Sequence, residues 1–260
     1  WADEYGLRWA WQDNFVWIRQ TRPDDVFWAP VGPWNQIDWK AGFNDNQIRQ
    51  ASFIRIPQKL VESWRASFGS LATVEEERGH WDYIYAVEDL TELKGNRYHK
   101  KKNLLNQFAK KYEYTYVPFG PELIEQAMAM QNDWCTWRDC ESSEVLSAEN
   151  KSISRIFANW DQLRGTLGGA ILIDGDMVAY TVAEILTDET VVIHFEKGDT
   201  QYKGIYQAIN QMFLANLAVN FPLVSREQDL NDPGLRKAKL SYQPVDFLQK
   251  YRVTLPGTIR

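Results

Sequence analysis

Val224-Ser-Arg-Glu-Gln-Asp-Leu-Asn-Asp-Pro-Gly-Leu-Arg-Lys-Ala-Lys-Leu-Ser-Tyr-Gln-Pro244 is the stretch on which the reading of this chain turns. The short apolar run Phe221 to Val224 before and into it reads as a buried strand, and the strand empties into a segment dense in ionisable side chains: Arg226, Glu227, Asp229, Arg236, Lys237 and Lys239. Sheets with helical connections bind their ligands beyond strand ends, so a strand that runs into such a cluster marks a candidate site. A solvated loop has the same composition, and composition alone does not separate the two.

Upstream of this strand, Gln201-x-x-Gly204-x-Tyr206 lies between a predicted strand, Val191 to Phe195, and a predicted helix running to Asn220. A glycine turn at a helix N-terminus can expose backbone N–H groups to an anion, and it can equally be no more than a helix start. Further upstream, Thr166 to Ile173 and Met177 to Ile185 form a hairpin about Asp174-Gly175-Asp176. Helices are predicted over Pro121 to Arg138, with proline in the first turn, and over Ser147 to Trp160. Tyr114 to Pro118 precedes them as a strand, and a closing strand is expected near Tyr251 to Leu255.

The first part of the chain opens with three segments rich in Trp, Val, Ile and Phe, Leu7 to Trp11, Phe15 to Gln20 and Val26 to Val31, parted by Asp13-Asn14 and Pro23-Asp24-Asp25. That is a three-stranded meander. A weakly helical stretch over 35–50, a strand at Phe53 to Ile56, an amphipathic helix from Gln58 to Phe68 and strands at Leu71 to Glu75 and Trp81 to Tyr85 follow. After a short helix at Val87 to Leu93, Asn96 to Tyr112 is a basic helix with six Lys or Arg and no acid. Arg97, Lys101, Leu104, Phe108 and Tyr112 fall near one line on it, so its first turns aim cations where its later turns aim apolar groups. Such a helix either binds phosphate through Arg97, Lys100, Lys101 and Lys102 or is a solvated linker.

The chain carries 44% hydrophobic and 25% charged residues with twelve each of Trp, Tyr and Phe, which describes a globular protein with an unusual aromatic load. A net charge of −6 argues against a protein that coats nucleic acid through its whole surface, while a local basic patch remains compatible with RNA. Cys135 and Cys140 lack metal-ligand spacing to any histidine and read as reduced thiols, so no metal is expected. No run approaches the length of a membrane span and no signal peptide is present, which points to a cytoplasmic location. The chain opens on Trp1 rather than Met, so a further N-terminal segment is expected.

The element order of the second part, strand, two helices, three strands, helix, strand, helix, strand, is that of an acetyltransferase-type N-acyltransferase. The first part repeats it from the second strand onward. The fold class expected is therefore α+β, with two tandem acyl-CoA N-acyltransferase (GNAT)-like domains, each a mixed, mostly antiparallel sheet flanked by helices. The expected boundaries are 1–94 for an N-terminally truncated first domain, 95–112 for a basic linker helix and 113–260 for the second domain.

Four blocks carry a family resemblance: Trp81-Asp-Tyr-Ile-Tyr-Ala-Val-Glu-Asp-Leu; Arg97-Tyr-His-Lys-Lys-Lys-Asn-x-x-Asn-Gln-Phe; Phe195-Glu-Lys-Gly with Tyr202-Lys-Gly-x-Tyr-Gln; and Arg226-Glu-Gln-Asp-Leu with Gly234-Leu-Arg-Lys-Ala-Lys-x-Ser-Tyr-x-Pro. Together they resemble the bacterial proteins related to the C-terminal domain of phosphatidylglycerol lysyltransferase. The resemblance implies two acetyltransferase-like domains joined by a positively charged helix, and transfer of an aminoacyl group from aminoacyl-tRNA to an acceptor. It also implies a lysine followed at three residues by an aromatic, positions held here by Lys239 and Tyr242. Lipid-modifying members carry Asp-Leu-Met-Arg after the equivalent strand, where this chain has His194-Phe-Glu-Lys197 and Lys197 stands in place of the arginine.

Aminoacyl transfer requires an activated ester, a deprotonated nucleophile and a cation or donor for the oxyanion. On this reading Lys239 serves the oxyanion or a terminal phosphate, Arg236 and Lys237 contact phosphate, and Gln201 and Gly204 form an anion-binding turn. Glu227 and Asp229 hold the incoming ammonium or merely pair with nearby arginines. Glu196 is the candidate general base with Glu184 as its rival, and His194 is expected to be a core histidine. Aminoacyl-tRNA is the expected partner, phospholipid head groups at the cytoplasmic membrane face are a further one, and no cofactor is expected. One alternative keeps the fold and takes acyl-coenzyme A as donor. Another is a non-catalytic binding module, in which Lys239→Ala and Glu196→Ala change nothing measurable.

Overall fold

A computed structural model describes residues 1–12, 14–41, 51–216 and 220–255. The chain divides into two compact units, and each is assembled from separate stretches: Trp1–Asp82, Gln228–Pro233 and Phe247–Arg260 form the first, Tyr83–Glu227 and Gly234–Asp246 the second. This differs from the division expected at 94 and 112. The basic helix, His99–Lys111, lies inside the second unit rather than linking two domains.

The first unit holds a six-stranded mixed sheet. Strands β1 (Arg8–Gln12), β2 (Phe15–Gln20) and β3 (Val26–Trp28) form the expected meander, and β4 (Ala51–Pro57) runs parallel to β3. The last strand of the chain, β13 (Lys250–Leu255), inserts between β4 and β5 (Thr73–Glu76). That corrects its assignment to the second domain, and the cause is burial: Val253 and Leu255 alternate inward onto the cluster of Phe53, Ile56 and Trp64. Part of the aromatic load is accounted for here. The helix Gln58–Phe68 buries Leu60, Val61, Trp64 and Phe68, and Trp64 meets Trp39 and Phe53 edge-on at centroid distances of 5.5 and 4.9 Å. Each such aromatic pair is worth about 0.5–1.5 kcal/mol beyond its buried area. The weakly helical stretch runs into 42–50, outside the described residues.

The second sheet has the order β12-β6-β11-β10-β9-β8-β7, with β6 (Asp82–Ala86), β7 (Thr115–Pro118), β8 (Thr166–Ile173), β9 (Asp176–Thr187), β10 (Thr190–Gly198), β11 (Leu223–Ser225) and β12 (Asp246–Leu248). Strand β6 was expected in the first sheet. Its Tyr83 and Tyr85 are fully buried, and it pairs with β11. The β8–β9 hairpin turns at Asp174 and Gly175, both with positive φ, as the Asp-Gly signal requires.

Helices cover both faces of this sheet. Ile124–Arg138 and Glu144–Ala158, the latter capped by Ser143, enclose one core with Phe119, Phe157, Tyr180 and Phe195. His99–Lys111 and Ile205–Asn216 enclose the other, around Phe108, Ile171, Ala208 and Ile209. Cys135 and Cys140 are joined in a disulfide rather than left as thiols. The left-handed residue Asp139 ends the helix Ile124–Arg138 and turns the chain back, so that residues five apart come to Cα–Cα 5.0 Å.

Candidate active site

Strands β10 and β11 are parallel, and their pairing lasts three residues, from Thr190 opposite Leu223 to Val192 opposite Ser225. Beyond that point β10 continues to Gly198 against β9, while the segment after β11 stays bonded to β6, with the Arg226 N–H donating to the Tyr83 carbonyl and the Tyr83 N–H to the Glu227 carbonyl. The two strands therefore part. Side chains, not backbone, span the opening.

Alternation along β10 sends Phe195 and Lys197 to one face and Glu196 to the other. On the Glu196 face, Arg226 donates to Glu196 Oε1 at 2.8 Å and the buried Asn210 amide donates to Oε2 at 2.9 Å. Both carboxylate oxygens are thus engaged, one by Arg226 and the other by Asn210. The guanidinium lies 4.7 Å from the centre of the Tyr242 ring, and the Lys101 ammonium lies 3.9 Å from it. Gln207 donates to the Tyr242 hydroxyl, and Tyr85 donates its own to the Lys239 carbonyl. The Lys239 ammonium reaches the Arg226 carbonyl. Burial, with Arg226 adding to it, lowers the Lys101 pKa to about 8. This part of the site sets Arg226 against Glu196, Lys101 over the Tyr242 ring that Arg226 also faces, and Lys239 on the Arg226 carbonyl.

Two residues back along β10, a register shift falls at His194. Its Nδ1 meets Glu227 at 3.3 Å and its Nε2 meets Glu184 at 3.0 Å. Only the imidazolium can donate from both nitrogens. Burial pulls this histidine toward its neutral form and is the largest single influence, but the hydrogen bonds and charges of Glu227 and then Glu184 outweigh it and raise its pKa. With the folded pKa raised, the stabilisation is complete below the unfolded value of about 6.5 and is lost as pH rises through the folded value. In an NMR titration His194 is expected to titrate above 6.5, and Glu227→Gln to move its midpoint down. A wild-type midpoint at or below 6.5 would contradict the bridged geometry. His194 is therefore no inert core histidine, and its place two residues before Glu196 was the available signal.

Other predicted residues lie elsewhere. Lys197, on the opposite face, is 5% exposed, donates to Glu149 at 2.6 Å and sits 3.7 Å from the Trp134 ring, so it does not share a pocket with Lys239. Asp229 belongs to the first unit, fully buried and paired with Arg78 at 3.3 Å. The expected Glu227 and Asp229 pair does not form, because Glu227 turns to His194 through a left-handed φ of 51°. Arg97 pairs with Asp89 from the preceding helix, so its charge does not go uncompensated. Lys100, Lys102 and Lys237 are exposed, and Arg236 is half-buried. In the Gln201 and Gly204 turn, the N–H groups of Gln201 and Tyr202 go to Asp199 and that of Ile205 to the Tyr202 carbonyl. Gly204, at φ +90°, is there for close approach: a Cβ would stand 2.3 Å from the Leu104 carbonyl oxygen of the basic helix. This turn packs the start of the helix Ile205–Asn216 against the basic helix.

A mixed sheet whose parallel pair splays into a polar opening is the GNAT type of fold, here with two sheets in one chain. A tandem GNAT protein from the clavulanic acid biosynthesis pathway shares that architecture at TM-score 0.50 and 8% identity, over 95% of this chain and 80% of that one. The chain belongs to the family described as phosphatidylglycerol lysyltransferase, C-terminal, whose profile matches residues 1–254. It is 30% identical to a conserved protein of unknown function from Bacteroides thetaiotaomicron, with TM-score 0.89 over 98% of this chain and 88% of that one. L-PGS from Bacillus licheniformis has the same fold at TM-score 0.66 and 13% identity, over 99% and 87% of the two chains. Membership places the protein in an acyl- and aminoacyl-transferring family. Among the described residues no helix is long and apolar enough to cross a membrane.

Proposed function

We propose that the second unit transfers an aminoacyl group from aminoacyl-tRNA to an amine or hydroxyl acceptor, with phospholipid head groups at the cytoplasmic membrane face the first acceptors to test. The observation that carries this reading is the pairing of two opposite charge excesses along β10. Lys101 and Arg226 outweigh Glu196, and Glu184 with Glu227 outweighs His194 even when the imidazole is protonated. The end of a charged tRNA presents the matching pair: phosphate and an ester carbonyl that becomes an oxyanion, beside an α-ammonium group. An acetyl thioester carries no ammonium, so the acidic excess would have no counterpart in acyl-coenzyme A.

In the reaction the acceptor attacks the ester carbonyl, the bond from that carbon to the ribose oxygen breaks, and the acceptor's proton ends on the ribose oxygen. Lys101, Arg226 and Lys239 stabilise the oxyanion and adjacent phosphate. Glu196 orients Arg226, and Glu184 and Glu227 hold the ammonium. Lys100 and Lys102, exposed on the basic helix, extend the cationic surface along the tRNA.

Filter binding with charged tRNA, set against thermal shift with acetyl-coenzyme A, tests the donor. Charged tRNA should be retained more strongly than uncharged tRNA, Lys101→Met should weaken it at least tenfold, and retention should fall as pH rises through about 8, where Lys101 loses its proton. If only the coenzyme raises the melting temperature, the tRNA reading is wrong.

A further inference from the structure

We infer that the first unit holds a separate binding site for a small carboxylate with an apolar body, built around Arg55. Within β4, Arg55 has φ +60°, a left-handed conformation that a long side chain in a strand rarely adopts. The cause is local. The β4–β13 register shifts between Tyr251 and Val253, so that an extra residue enters β4 at Ile54 and Arg55. Bulges of this kind re-aim a side chain and recur beside ligand sites. Here the re-aimed guanidinium lies 4.0 Å from the centre of the Trp28 ring and 5.6 Å from that of Tyr5.

Its charge is not answered within the described residues. Nε is buried with no hydrogen-bond partner, and no carboxylate lies within ion-pair distance of Arg55 among those residues. Arg55 lines a cleft of about 310 Å³ together with Pro30, Trp34, Pro57, Leu248 and Lys250. That volume is at the lower end of small-molecule sites. Lys250 is already paired with Asp82 at 2.7 Å, so the cleft carries one net positive charge.

One net charge on a planar fork calls for a monoanion that can accept two parallel hydrogen bonds, which a carboxylate does. The remaining walls are apolar, two of them proline rings and one an indole whose N–H is spent on the Pro30 carbonyl at 2.7 Å. They offer contact area and no further polar recognition. The ligand is thus a carboxylate whose body is a ring or a short branched chain, held at one end by Arg55.

Titration calorimetry on the whole chain tests this with phenylacetate, benzyl alcohol, 2-phenylethylamine and acetate as probes. Phenylacetate is expected to bind at least tenfold more tightly than the other three, which lack the charge, reverse it or lack the apolar body. Arg55→Asn removes the guanidinium while keeping a residue that tolerates the left-handed backbone, and it should lower phenylacetate affinity at least tenfold with the melting temperature held within a few degrees. Arg55→Gly, which suits that backbone better still, should lose binding to the same extent and guards against misfolding of the first variant. Equal binding of phenylacetate and benzyl alcohol, unchanged affinity in both variants, or no phenylacetate binding to the wild type would each overturn the site.

Discussion

Arg226→Gln is expected to cost about 3–5 kcal/mol of folding stability, the range for breaking a buried ion pair by removing one partner. The pair qualifies because the side chains of Arg226 and Glu196 are only 13% and 8% exposed and meet at 2.8 Å. Once the arginine is gone, Glu196 keeps the Asn210 hydrogen bond and loses the cation that is hydrogen-bonded to it. Glu196→Gln added to Arg226→Gln removes the stranded charge and should restore most of the loss, so a double-mutant cycle by urea denaturation isolates the coupling. A single Arg226→Gln variant within about 0.5 kcal/mol of wild type would show that water reaches the pair freely. Because Arg226 also supplies positive charge to the proposed oxyanion site, the double variant should fold and still fail to bind charged tRNA. That outcome separates the architectural role from the chemical one.

On the other face of β10, Glu149→Gln should be destabilising by a similar amount, about 3–5 kcal/mol at neutral pH, because it strands the Lys197 ammonium against Trp134. Burial already lowers the pKa of Lys197, and Glu149 opposes that lowering, so the variant lowers it further. The sign follows from proton binding. Above the depressed folded pKa the native state sheds the proton that the unfolded chain still holds, so stability rises with pH there. The deficit of Glu149→Gln relative to wild type should therefore shrink as the solution is made alkaline. Lys197→Met, which keeps the stem against the indole, should rescue Glu149→Gln. If the deficit were independent of pH, Lys197 would not be a charged group in the native state.

The signals legible in the sequence were the local ones. Gln58–Phe68 was read from the spacing of Leu60, Val61, Trp64 and Phe68, and the β8–β9 turn from Asp174 and Gly175. Both depend on periodicity or turn chemistry within a dozen residues. The disulfide was missed because the fold-back at Asp139 is set by a helix end, not by cysteine spacing. The basic helix is legible, but Lys101 reaching the Tyr242 ring is not, since the two positions are 141 apart in the chain. His194 reads as a core residue because its flanks, Ile193 and Phe195, are apolar. The register shift that frees it to bridge two carboxylates lies in its pairing with β9.

By itself the sequence determined the class of most elements, the two-sheet α+β organisation and the resemblance to a transferase family, because hydrophobic period and turn residues act over short range. Tertiary structure alone decided which charges meet. Glu196 and Arg226 are separated by 30 residues, Lys197 and Glu149 by 48 and His194 and Glu227 by 33, and each pair exists only through strand alternation and the place where β11 leaves β10. A charge in a string has no face. The sheet assigns it one, and with it the partner that sets its chemistry.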